Sequence, residues 1–168
     1  MFGLTTLGAL HTAISLVALW AGYQSLLQRG AIDPRQRLGQ VYLWSTVLTC
    51  LTGFGIFQRG GFNEAHMLGV LTLLVVGLAL LPLRARAWPY AQTVLWTLTL
   101  FFHMVPGLTE TFTRVPLGAP LFTGPDDPKL KASVGVVFLV FAVVMAAQVL
   151  RMRRRQRATP LGAAALRP

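Results

Sequence analysis

Apolar residues gather in five long runs, at residues 4–27, 38–57, 64–83, 89–105 and 133–150. Each approaches the roughly 20 residues that a helix needs to cross a bilayer. The first run carries a stripe of different character: Gly8, His11, Ser15, Ala18, Gly22 and Ser25. Steps alternating between three and four put these residues on one helical face. Leu, Ile, Val, Ala and Trp fill the other faces, so the stripe calls for protein beside it rather than lipid. Similar stripes run through the second segment (Tyr42, Ser45, Thr49, Thr52), the third (His66, Gly69, Leu73, Gly77) and the fourth (Gln92, Trp96, Thr99, His103). The fifth has only Gly135, Ala142 and Gln148 among Val, Leu and Phe. The pattern predicts an all-α integral membrane protein of five transmembrane helices, four forming a core and the fifth peripheral.

Local signals mark the ends. Gly30 after Arg29 predicts a helix stop. Asp33-Pro34 and Asp127-Pro128 each read as an N-cap followed by proline at the first helical position. Asn63 is expected to cap the third helix, with Glu64 at its positive end. Gly60-Gly61, Pro82 and Pro106 are expected to close the second, third and fourth segments, and Pro89 to open the fourth. The 106–131 stretch, with five prolines, reads as a long loop with a helical turn around Thr109–Arg114 and an i, i+4 pair between Glu110 and Arg114. Phe112, Leu117, Leu121 and Phe122 would lay it on the membrane surface if it is not a loose linker. A 55-residue offset relates His11, Gly22, Arg29 and Pro34 to His66, Gly77, Arg84 and Pro89. Either the first hairpin repeats in tandem, with His11 and His66 at equal depth, or low-complexity sequence matches itself by chance.

Composition supports a lipid setting. Of 168 residues 54% are apolar and only 12% charged, and mean hydropathy is +0.60. A soluble domain carries about a quarter charged residues. The net charge of +10 raises nucleic acid as a partner, but the basic residues flank apolar runs instead of forming one patch, which excludes it. Arg29, Arg35, Arg37, Arg84, Arg86, Arg151, Arg153, Arg154, Arg155, Arg157 and Arg167 fall on one side of the five-span arrangement; Arg59, Arg114, Lys129 and Lys131 fall on the other. That asymmetry predicts an N-terminus outside and a C-terminus cytoplasmic. Tyr23, Tyr42, Trp44, Trp88 and Tyr90 are placed as an inner aromatic belt. Residues 1–157 read as one transmembrane domain and 158–168 as a disordered cytoplasmic tail. Arginine precedes no part of the first run, so it reads as a retained span rather than a signal peptide. Cys50 is the only cysteine, which rules out an internal disulfide.

The candidate chemistry rests on His11, His66 and His103, all toward the outer ends of their spans. Ionisable groups inside spans suggest function. Two imidazoles would clamp a haem b, as in membrane cytochromes; the same groups suit a metal or a proton relay. Alternatively each bonds a neighbouring Thr or Ser. Met67 and Met104 each follow a histidine, but adjacent helical residues point about 100° apart, so apolar filling is the simpler role. Arg151–Arg157 suit anionic lipid or plain anchoring. Walker, dinucleotide, zinc-protease and nucleophile-elbow motifs are absent, and nothing argues for hydrolysis or group transfer.

The segments HTAISLVALWAG (11–22), LGQVYLW (38–44), TGF around Gly53, AHMLGVLTL (65–73) and VPGLTETFTRVPLGAP (105–120), followed by PDDP, resemble a family of small bacterial multi-pass inner-membrane proteins classed as a domain of unknown function. The resemblance implies a membrane bundle and carries no activity. Members with a histidine where Gln36 stands here would have a ligand at the cytoplasmic end that this chain lacks. Two functions are therefore expected in parallel: haem or metal binding near the outer face for electron transfer, or a non-catalytic transport or accessory subunit without a cofactor. The lipid bilayer is the expected partner, with a second membrane protein or a homo-oligomer as further candidates.

Overall fold

The computed structural model describes residues 5–57, 61–115 and 119–164, without side chains beyond Ala158. Arg59, Gly60, Pro116, Leu117 and Arg167, which carry some of the expectations above, lie outside the described residues. The described chain is all α: α1 (Thr6–Arg29), α2 (Arg37–Gly53), α3 (Glu64–Leu80), α4 (Trp88–Phe112) and α5 (Pro128–Ala164), with no strand among the described residues. Two helices, α1 and α5, are long and apolar enough to cross a membrane. With 17 residues each, α2 and α3 span about 25 Å at 1.5 Å per residue, short of a hydrocarbon core of about 30 Å.

Capping chemistry explains most boundaries. Thr5 accepts from the Gly8 N–H at 3.1 Å and starts α1. Gly30 ends it in the left-handed region (φ 75°), which a side chain rarely adopts. Asn63 caps α3 by accepting from the Ala65 N–H. Asp127 accepts from the Lys129 N–H at 2.9 Å and the Thr123 N–H at 3.1 Å, and these donors hold its carboxyl below the usual carboxylate range.

Three boundaries differ from expectation. Asp33 does not cap α2 directly: its carboxylate accepts from the Arg35 N–H in a turn, and the helix begins at Arg37 with Gln36 as cap. Pro106 does not end α4, which continues to Phe112. Proline removes the backbone donor to the Phe102 carbonyl, one turn back, yet the helix runs through. Glu110 and Arg114 do pair, at the end of this longer helix. The remaining loop folds back, with Phe122 edge-on to Phe112 at 5.2 Å and its N–H donating to the Phe112 carbonyl. Residues 158–164 continue α5 as helix, where a disordered tail was expected.

The helices form a ring in which α1 packs on α2, α2 on α3, α3 on α4, and α4 more loosely on α1. α5 packs on α4 alone among the helices, which makes it the peripheral member. The inward faces are those marked by the stripes: Gly8, Ala18, Gly22 and Ser25 are buried, and His11 and Ser15 half-buried. In α3 the face is rotated, with Thr72, Val76 and Ala79 buried beside His66, while Gly77 faces outward. Tyr42 is not a belt residue; it is fully buried at the centre. Sequence periodicity fixes a face only to within about one residue on each side, because one step turns a helix by about 100°.

Gln148 clips the peripheral helix to the ring. Its amide donates to the Gly30 carbonyl at 2.9 Å and its oxygen accepts from the Thr97 hydroxyl at 3.0 Å. Gln148→Leu leaves the Gly30 carbonyl without this donor and is expected to cost about 1–2 kcal/mol. Thermal unfolding in detergent checks this; an unchanged midpoint would show that the clip carries no energy.

Candidate functional site

The described core is polar to an unusual degree. Ten polar side chains are buried beside twelve apolar ones, whereas 29 large apolar side chains are exposed, including Leu27 at 79% and Val143 at 68%. This inverts the arrangement of a water-soluble domain.

The polar interior centres on two side chains that reach between α2 and α4. Tyr42 on α2 shares a 2.8 Å hydrogen bond with the Thr99 hydroxyl on α4. His103 on α4 shares a 3.0 Å bond through Nε2 with the Thr46 hydroxyl on α2. Both bridges join positions 57 residues apart, as two parallel helices in constant register require. The backbones of α2 and α4 do not touch, so these side chains fill the middle of the ring. The Tyr42 ring stands edge-on to His103 at 6.1 Å and to Trp96 at 6.4 Å.

Toward the end of α2, His11 on α1 bonds the Thr52 hydroxyl through Nδ1 at 3.1 Å. Its ring lies against Gly53, where a Cβ would stand 3.2 Å from the imidazole. The Thr49 hydroxyl, one helical turn from both Thr46 and Thr52, is buried without a hydrogen-bond partner. Three hydrogen-bonded pairs, His11–Thr52, His103–Thr46 and Tyr42–Thr99, thus follow one another along α2 as a file, interrupted at Thr49, from one end of the bundle to its middle. Beyond Tyr42, the Trp96 and Leu100 side chains pack with Ala18 and Ala21 and close the interior.

The three expected site histidines are therefore not brought to one point. His11 and His103 share the file. His66 stands apart, stacked between Phe57 and Phe62 at 5.0 and 5.2 Å, with Nδ1 in the capping box of Asn63. His66 sits three residues past its cap and His11 six past Thr5, so the two do not occupy matching positions in their helices. Among the described residues no three of His, Cys, Asp and Glu gather as a metal-binding group. A haem needs a flat slot between two facing imidazoles, with each offering a free nitrogen. Here His103 is bonded to Thr46 through Nε2 and His11 to Thr52 through Nδ1, so each imidazole uses one ring nitrogen within the bundle. Met104 receives the Tyr23 hydroxyl at 3.1 Å and Met67 is exposed, so the two methionines do not share a site.

Sequence spacing found His11, Tyr42, Thr49, Thr52, Thr99 and His103, but missed Thr46 and Thr97. Thr46 is one step off the Ser45–Thr49 stripe, and Thr97 faces α5 rather than the ring. The signal available was their type: a threonine in an apolar run needs an acceptor.

Compared with known proteins, the chain matches no family model, no curated protein and no solved structure.

Proposed function

We propose that this chain is a five-span protein of the bacterial inner membrane, with its N-terminus outside and its C-terminus cytoplasmic. There it acts as a non-catalytic transport or accessory subunit that takes up and releases protons from the outer side. The observation that carries the reading is the file of three hydrogen-bonded polar pairs along α2, two of them holding an imidazole, enclosed by an apolar exterior. An imidazole can accept a proton on one ring nitrogen and release one from the other, and hydroxyls both accept and donate. Ionisable groups held in a lipid-enclosed core are costly unless they serve a purpose. The turns bearing Arg29, Arg35, Arg37, Arg84 and Arg86 share one end of the bundle with Arg151–Arg157, as the contacts Gln148–Gly30 and Tyr90–Gln156 support. That grouping is what an excess of cytoplasmic arginine requires.

The test is proton uptake by the purified chain in detergent micelles, followed with a pH dye in the surrounding solution after an acid jump. Uptake is expected above the protein-free rate and at that rate in His103→Leu. Equal rates for both proteins would refute the proposal. A Soret band in the purified protein, lost in His11→Ala or His103→Ala, would replace it with the haem reading.

A further inference from the structure

A groove of about 650 Å³ opens at the arginine-rich end of the bundle, between the α3–α4 turn and the far half of α5. It is lined by Arg86, Ala87, Tyr90, Arg153, Gln156 and Arg157. Three guanidinium groups from two separate elements thus converge on one concavity. The side chains around them are organised: the Tyr90 hydroxyl donates to Gln156, and the Arg153 guanidinium lies over the Tyr90 ring at 5.9 Å. No carboxylate lines the groove, since the five acidic residues of the chain are Asp33, Glu64, Glu110, Asp126 and Asp127. Planar guanidinium groups bind phosphate oxygens in pairs, so the chemistry calls for a phosphate-bearing anion.

The same helix indicates what kind. Val136, Leu139, Val140, Val143 and Leu150 are exposed on α5. Continuing their spacing of three and four leads to Arg153 and Arg157 on the same face. An apolar stripe that runs into a cluster of arginines matches a molecule with long hydrocarbon chains and an anionic head. We propose that this groove is a binding site for the headgroup of an anionic phospholipid, whose acyl chains lie along the exposed stripe of α5. The inference rests on the membrane reading above, and it goes further by assigning a ligand class and the residues that select it.

The experiment is native mass spectrometry of the full chain in detergent with equal phosphatidylglycerol and phosphatidylcholine. Phosphatidylglycerol adducts are expected to exceed phosphatidylcholine adducts about tenfold. The variant R86Q/R153Q/R157Q should bring the two to parity, and Arg157→Gln alone should lower the preference about threefold. The control R29Q/R35Q/R37Q removes the same charge from the same end outside the groove and should keep the preference. Equal loss in the control would show diffuse electrostatics and overturn the site, as would equal binding of the two lipids by the unaltered chain. Inorganic phosphate at millimolar concentration should not displace the lipid; full displacement would reassign the groove to free phosphate. Failure of the membrane reading looks different: the chain would remain dispersed after the detergent is removed.

Discussion

Tyr42→Ala is expected to cost the folded bundle about 3–5 kcal/mol, the range for removing a large buried aromatic side chain. Tyr42 is wholly enclosed and touches structure on three sides: the Thr99 hydroxyl, the edge of Trp96 and the edge of His103. It also spans a gap that the α2 and α4 backbones leave open, so no neighbouring side chain can close the void by a small shift. Tyr42→Phe separates the contributions. It keeps the ring and loses the hydroxyl, and the Thr99 hydroxyl still donates to the Trp96 carbonyl at 2.8 Å. A cost of about 1 kcal/mol is expected there. Reversible unfolding in mixed detergent measures both. If Tyr42→Ala lies within about 1 kcal/mol of the unaltered chain, the centre of the ring is not packed as described.

Gly39→Ala is expected to destabilise by about 3 kcal/mol, the upper end for an added methyl in a closed space. A Cβ at Gly39 would stand 1.9 Å from the Asp33 carbonyl oxygen and 2.9 Å from the Pro34 nitrogen. These are backbone atoms, so relief requires moving the turn that leads into α2. Gly77→Ala is the matched comparison, because nothing lies within 4 Å of a Cβ there. That change should stabilise by about 0.5–1 kcal/mol, through the lower flexibility of alanine in the unfolded chain. Opposite signs for two glycine-to-alanine changes in one bundle would be difficult to obtain from composition alone. Equal effects would mean that the turn does not pass over Gly39.

The exposed apolar surface gives these predictions their setting. Leu27, Trp20, Trp44, Leu74 and Val143 all point away from the ring, whereas Thr46, Thr97, Thr99 and Ser25 point into it. In water such a molecule would aggregate through its outer faces. In lipid the same faces need no cover, and the hydroxyls inside, Thr49 excepted, bond other side chains or the helix backbone. Ser25 and Thr72, for example, each donate to the carbonyl four residues back.

Periodicity alone determined that the chain is helical, where its five helices lie though not where α4 and α5 end, and that the stripes on α1, α2 and α4 face inward. These follow from local rules: apolar spacing, glycine and asparagine caps, and the geometry of one turn. Sequence could not give the path of α4 through Pro106, because whether proline ends a helix depends on what replaces its missing donor. Nor could it pair His103 with Thr46 and Tyr42 with Thr99, or set His66 apart. Those pairings depend on the register of α2 against α4, which no local signal encodes and which only the packing of all four helices decides.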